Sequence, residues 1–315
     1  MITEYIYHPH RWHREERSPA VFALGYFDGV HLGHQEVIRT AKQKAEERNV
    51  ECVVMTFHPH PKAVLSADVN EEDMRYITPL PEKEKTIEAL GCDRLLIVSF
   101  DATFSKLIPQ AFVDHYLIDL GAVHVVAGFD YTYGQLGKGT METLPFHARG
   151  CFEQTTVSPY VLESEKVSST KIRELIQAGD MQEVNVWLGR EFSIVGKVVT
   201  GERRGRTIGF PTANVQCEEP FMLPATGVYT VSFIVEGETI HGVANVGYKP
   251  TFHTISEDDP TVEVHLLDFE GDLYGKKATV VWHERLRGEV KFSSIDELKE
   301  QIGKDRAAAR SYFSS

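Results

Sequence analysis

Short apolar runs punctuate the first half of the chain, at residues 21–25, 52–57, 95–100 and 123–128. Between them lie segments in which apolar residues recur at helical spacing, 35–47, 82–90 and 110–120. Strand–helix–strand alternation predicts a parallel sheet with helices on its faces. In such sheets a ligand binds beyond the carboxyl ends of the strands. After Trp187-Leu188-Gly189-Arg190 the pattern changes. Helical periodicity gives way to short β-rich runs at 192–199, 228–235, 240–246, 261–267 and 278–282, separated by glycine turns. That texture predicts an antiparallel sandwich or barrel. One closing helix is expected over 294–312, with Ser294 and Glu297 as a capping box.

A chain of 315 residues exceeds what most single cores hold, and the change of texture divides it into 1–186 and 187–315. The balance of 33 basic and 46 acidic residues gives a net charge of −13, which argues against general nucleic-acid binding. No apolar run is long enough to span a membrane, and residues 1–17 lack the apolar core of a signal peptide, so a cytoplasmic protein is expected. Cys52, Cys92, Cys151 and Cys217 form no Cys-x-x-Cys pair and read as thiols of a reducing compartment.

The densest chemistry follows the first apolar run: Gly25-Tyr26-Phe27-Asp28-Gly29-Val30-His31-Leu32-Gly33-His34. A strand feeding a glycine-punctuated turn and a helix start makes a phosphate site, because the first N–H groups of a helix are unpaired and carry partial positive charge. Gly29 and Gly33 let backbone approach a ligand, and His31 and His34 can donate to phosphate oxygens. The run at 52–57 ends in Thr56-Phe57-His58-Pro59-His60-Pro61, whose prolines stop the strand. The run at 123–128 ends in Gly128-Phe129-Asp130-Tyr131. A second phosphate grip is Ser168-Ser169-Thr170-Lys171-Ile172-Arg173, opening a helix that stops before Gly179. Lys171 and Arg173 sit where the helix dipole disfavours cations, which makes sense if an anion lies between them and the N–H groups. In the second half, Gly201-Glu202-Arg203-Arg204-Gly205-Arg206-Thr207-Ile208-Gly209-Phe210-Pro211-Thr212-Ala213-Asn214 is a glycine- and arginine-rich loop entering a strand. It is no Walker loop, yet it offers N–H donors, cations, and Thr212 and Asn214 as oxygen ligands for a hard metal.

The His-x-Gly-His turn resembles the nucleotidylyltransferase superfamily, and its longer form resembles the branch containing bacterial FAD synthetases. The Gly-x-Pro-Thr-Ala-Asn segment is similar to the riboflavin kinase module. Supporting segments follow in order: Gly227-Val228-Tyr229, Asn245-Val246-Gly247-Tyr248-Lys249-Pro250-Thr251-Phe252, Glu263-Val264-His265-Leu266-Leu267-Asp268-Phe269, Tyr274-Gly275 and Arg285-Leu286-Arg287-Gly288-Glu289. Together they cover nearly the whole chain and resemble the bifunctional riboflavin kinase/FAD synthetases, most closely those of Bacillus-type organisms. Tyr131 and Tyr133 stand where that family often has Phe, and His58 where others often carry an acid; neither departure removes a phosphate-handling group.

The resemblance implies a Rossmann-like nucleotidylyltransferase domain followed by an antiparallel β-barrel kinase domain with a terminal helix. It implies riboflavin, FMN and ATP as substrates, with Mg²⁺ at both sites. Phosphorylation of riboflavin would use Glu263 as general base, Thr212 and Asn214 as metal and phosphate ligands, Gly205, Arg206, Gly209 and Pro211 around the ATP phosphates, and Arg287 on the flavin side. For Glu263, an exposed strand carboxylate without a role stays open as the alternative. Adenylylation of FMN would use His31 and His34 at the α- and β-phosphates, within a pocket formed by Gly25, Phe27, Asp28, Gly29 and Gly33. Ser168, Ser169, Thr170 and Arg173 would hold the distal phosphates, and His60 and Asp130 would line the flavin pocket. Two rival readings are another adenylyl- or cytidylyltransferase with an accessory β-domain, and a flavin-binding regulator with dead sites. The second motif set opposes the former, and the intact His31, His34, Thr212, Asn214 and Glu263 oppose the latter.

Overall fold

A computed structural model describes residues 1–66, 69–201, 209–248 and 260–314. By its internal contacts the chain divides into two compact units, Met1–Ser169 and Thr170–Ser315.

The first unit is built on a six-stranded sheet of β1 (Ile2–Ile6), β2 (Ala20–Leu24), β3 (Glu51–His58), β4 (Arg94–Ser99), β5 (Ala122–Gly128) and β8 (Glu153–Val157), in the order β1-β4-β3-β2-β5-β8. Every pairing in it is parallel. Short hairpins β6 (Thr132–Tyr133) with β7 (Gly139–Thr140), and β9 (Val161–Leu162) with β10 (Glu165–Lys166), decorate it. The helices are α1 (Leu32–Arg48), α2 (Pro61–Leu65), α3 (Leu80–Ala89), α4 (Pro109–Val113) and α5 (Leu144–Ala148).

The central strands read as continuous apolar runs because both faces are covered. Val21, Ala23, Val54 and Ile97 pack on Ile38, Ala41 and Ala45 of α1 and Ile87 of α3. Phe22, Leu24, Met55 and Val98 face the other way, onto Phe104, Phe112 and Tyr116. The helix expected over 110–120 is α only to Val113 and continues as a wider π-type turn, Asp114–Ile118. The chain passes from β2 outward through β3 to β4 on one side and through β5 to β8 on the other, so strand order reverses between β2 and β5. A crevice at such a reversal is where open parallel sheets bind ligands.

The second unit holds α6 (Ser169–Ala178), which begins at the dividing residue, then α7 (Met181–Leu188) and a closed barrel. Its strands are β11 (Phe192–Val199), β12 (Ala213–Cys217), β13 (Gly227–Val235), β14 (Glu238–Gly247), β15 (Thr261–Leu266) and β16 (Lys277–Arg287), followed by α8 (Ile295–Ser314). All barrel pairings are antiparallel, in the order β11-β12-β15-β14-β13-β16. The last strand runs to Arg287, well past the expected end at 282. The capping box of α8 forms only in half. Ser294 Oγ accepts from the Glu297 N–H at 3.2 Å, whereas the Glu297 carboxylate accepts from Ser293 N–H and Oγ at 3.0 and 2.9 Å. Ser293 offers two donors to that carboxylate where Ser294 would offer one, which is the physical reason for the shift.

Candidate functional site

The turn from β2 into α1 is held in a demanding conformation. Phe27 and Val30, both buried, have φ of 57° and 41°, in the left-handed region that side chains rarely adopt. Gly25 permits this geometry: a Cβ there would lie 2.6 Å from the Phe27 ring. Asp28, only 3% exposed, accepts from the Thr78 N–H at 3.1 Å. His31 caps α1, its Nδ1 accepting from the His34 N–H at 3.3 Å, and this leaves Nε2 as the ring nitrogen that carries the donor proton. The His31 and His34 rings stack at 3.6 Å between centroids, and His34 meets the Phe27 ring edge-on at 5.3 Å. Gly33 lies so close to the imidazole that a Cβ would come within 3.3 Å of His31 Nδ1. The buried Gln35 ties the helix back to the turn by donating to the Val30 carbonyl at 2.9 Å.

The end of β3 and the segment around Ser169 reach this turn. Thr56, at the end of β3, donates to the Tyr26 carbonyl at 2.8 Å, and the His60 ring lies 4.3 Å from that of Tyr26. Ser169 Oγ donates to the Asp28 carbonyl at 2.8 Å, which joins two phosphate motifs 141 residues apart. Asp130, beyond β5, is exposed and ion-paired with Lys166 at 2.6 Å, the ammonium lying 4.5 Å from the Phe129 ring. Ser168 and Ser169 are half-buried within the first unit. Thr170 and Arg173 lie in the second; Thr170 is exposed, and Arg173 sits 3.9 Å from Met222 Sδ.

Sequence reasoning missed one residue here. Lys83 is only 3% exposed, donates to the same Tyr26 carbonyl at 2.9 Å and lies 4.3 Å from the Tyr26 ring. Burial pushes its ammonium down to about 8, with the Asp28 charge pulling the other way. The surrounding Pro-Glu-Lys-Glu-Lys reads as a solvated helix face; the only hint is that Lys83 falls four residues before Ile87.

The barrel carries a second constellation. Asn214 pairs in register with Glu263, and Glu263 with Asn245, so the three lie in a row across β12, β15 and β14 on one face. Asn214 is buried and Glu263 half-buried. Gly201 makes room for Asn214: a Cβ there would run into the Asn214 side-chain amide. His265 Nδ1 sits 2.8 Å from the Pro211 carbonyl, which fixes it as the donor and anchors the segment carrying Thr212. Burial holds His265 below the ordinary imidazole value. The sequence pattern includes His265 but gives no reason to single it out. A cavity of about 590 Å³ opens beside β12, lined by Gly201, Pro211, Thr212, Asn214, Val264 and Tyr274 among others; Glu263, Asn245 and His265 are not part of its lining. That size suits a nucleotide-sized ligand. Gly209 has φ of 91° and, among the described residues, nothing within 4 Å of its Cβ position. Gly205 and Arg206 lie outside the described residues. Arg287 is engaged with the buried Asp305 through three contacts of 2.8–3.1 Å.

Comparison with known proteins agrees with this division. A family model described as FAD synthetase matches residues 13–171, and one described as riboflavin kinase matches 188–313. The bifunctional riboflavin kinase/FMN adenylyltransferase of Bacillus subtilis is 49% identical over 315 residues, covering 100% of this chain and 99% of its own. Its counterpart in Listeria monocytogenes is 44% identical, over 99% and 98% of the two chains, and that of Pseudomonas fluorescens 37%, over 94% of each. A crystal structure described as a macrolide-efflux protein from Streptococcus pneumoniae superposes with a TM-score of 0.89 at 35% identity, covering 98% and 99% of the two chains. Among the described residues of this chain, no helix is long and apolar enough to cross a membrane. With two family models on its two halves and full-length relatives of this identity, the chain belongs to the bifunctional riboflavin kinase/FMN adenylyltransferase family.

Proposed function

We propose that the β2–α1 turn carries adenylylation of FMN and that the cavity beside β12 and β15 carries phosphorylation of riboflavin, with the catalytic modules dividing at 186/187. One observation supports each assignment. At the turn it is the Ser169–Asp28 bond, which brings two phosphate-type motifs together. In the barrel it is the in-register pairing of Asn214 with Glu263, which sets oxygen ligands beside a carboxylate base.

In the kinase step Glu263 accepts the proton of the ribityl 5′-hydroxyl as that oxygen attacks the γ-phosphate of ATP; FMN forms and ADP leaves. Thr212 and Asn214 offer the hard oxygen ligands that Mg²⁺ takes. Among the described residues no group of three or more His, Cys, Asp or Glu side chains could hold a metal. When bound, the ion neutralises charge on the phosphates of ATP. Gly205, Arg206, Gly209 and Pro211 surround the phosphates, and Arg287, held by Asp305, shapes the flavin side.

In the adenylyl step the FMN phosphate is already ionised and needs no base. It attacks the α-phosphate, and pyrophosphate leaves. His31, through Nε2–H, and His34 donate to the α- and β-phosphate oxygens, Gly25, Phe27, Asp28, Gly29 and Gly33 shape the cradle, and Ser168, Ser169, Thr170 and Arg173 hold the leaving group; Mg²⁺, when bound, would neutralise charge on the phosphates. His60 and Asp130 line the flavin pocket. The partners are the small molecules riboflavin, FMN and ATP, with no nucleic acid, and the working compartment is the cytoplasm.

The test is the separation of the two activities. His34→Ala should lower FAD formation from FMN by about 10²-fold or more while leaving FMN formation from riboflavin intact. A folded His34→Ala protein that forms FAD at the wild-type rate, or loses riboflavin phosphorylation as well, would defeat the assignment.

A further inference from the structure

The Tyr26 carbonyl receives two side-chain donors, Thr56 Oγ1 at 2.8 Å from β3 and Lys83 Nζ at 2.9 Å from α3. It belongs to the turn in which Phe27 and Val30 are held at positive φ, an arrangement that is costly for side-chain-bearing residues and persists only where neighbours over-determine it. We propose that Lys83 is a positioning residue for adenylyl transfer: its ammonium, with Thr56, clamps the Tyr26 carbonyl and so fixes the strained turn that presents His31 and His34. The inference rests on the assignment of adenylyl transfer to this turn.

Three observations point the same way. Lys83 occupies a core position of α3, four residues before the fully buried Ile87, where an apolar side chain would cost nothing to bury. A charge kept in such a place is seldom there for stability, since apolar replacements of buried charges are often neutral or stabilising. The ammonium also reaches the one turn on which the phosphate motifs converge. Its charge-assisted bond to a carbonyl is about twice as strong as a neutral one.

Titration separates this role from mere packing. Asp28, on the turn itself, is the charged group acting on Lys83. The other titratable groups at Tyr26 are His60, whose ring lies 4.3 Å from its own, and Tyr76, whose phenol burial pushes up. Lys83 loses its proton near pH 8, where free lysine would stay charged to about 10.5. Above that pH the clamp weakens to a neutral amine–carbonyl bond.

The experiment uses the full-length protein and the variant Lys83→Met, which keeps the unbranched stem and removes the charge. FAD formation from FMN should fall about 10²-fold in kcat, the scale of a misplaced catalytic group. Riboflavin phosphorylation in the same preparation should be unchanged, and the thermal midpoint should hold or rise. In the wild type, the rate of FAD formation should decline as pH rises through about 8, and this limb should be absent from Lys83→Met. Wild-type FAD formation by Lys83→Met, a lowered thermal midpoint that accounts for the loss, or an alkaline limb that survives the substitution would each overturn the proposal. If His34→Ala abolishes FAD formation while Lys83→Met does not, the role of Lys83 fails and the assignment of the turn stands. If neither variant affects it, the assignment itself is wrong.

Discussion

Two backbone carbonyls, Tyr26 and Pro211, are each gripped by a side chain from a distant part of the chain, Lys83 in one case and His265 in the other. In both, the gripped residue lies within a motif and the gripping residue is one to which sequence pattern assigns no role. A motif states which groups meet a ligand; the groups that hold its backbone in place come from wherever the fold delivers them, and no spacing announces them. Asn214 and Glu263 stand out by motif resemblance and not by strand alternation, which leaves an exposed carboxylate equally open; their in-register pairing is supplied by the fold. At this scale the decisive substitution is Glu263→Gln, which keeps the shape of the side chain and removes its basicity. It should slow riboflavin phosphorylation by about 10²–10⁴-fold with little change in ATP binding. Asn214→Ala should instead weaken binding of Mg-ATP. FMN supplied directly to Glu263→Gln should still become FAD, as a coupled flavin assay by chromatography would show.

Among the elements, those with strong period or both faces buried could be read from sequence, and those at the margins could not. β1 and β8 went unread because both are edge strands without a continuous apolar run: Glu153-Gln154-Thr155-Thr156-Val157 is mostly polar, and Ile2-Thr3-Glu4-Tyr5-Ile6 is interrupted by Thr3 and Glu4. The end of α8 shows what holds a marginal element. Phe313 stacks on His241 at 3.6 Å, and Tyr312 lies 5.4 Å from His283. His283 in turn meets Ser232 Oγ at 2.8 Å and the Glu191 carboxylate at 3.3 Å. Burial holds His283 below the ordinary imidazole value of 6.5, against the opposing pull of Glu191. A base with a depressed folded pKa binds protons more readily when unfolded, so its contribution is complete above pH 6.5 and is lost as pH falls through the folded value. His10, His124 and His265 are shifted the same way. Urea midpoints measured from pH 7.5 down to 5.5 should therefore fall, and His283→Gln should make that slope shallower.

At the scale of the molecule the two units close their sheets in opposite ways. The barrel is a ring in which every strand has two neighbours, whereas among the described residues the six-stranded sheet ends at β1 and β8, each paired on one side only. β8 is polar along its length, but β1 and the residues flanking it expose Ile2, Tyr5 and Tyr7 at 57%, 50% and 66%. An unpaired backbone edge beside exposed aromatic rings is a template on which another extended chain can add. When the protein is warmed or concentrated, self-association should begin at β1, while the barrel contributes no pairing surface until it unfolds. Tyr5→Lys should delay the onset of light scattering on heating without altering either enzymatic rate, and an equivalent charge on β16 should leave that onset where it was. The enzyme that makes flavin cofactors would then owe its shelf life to a strand that belongs to none of the motifs that make them.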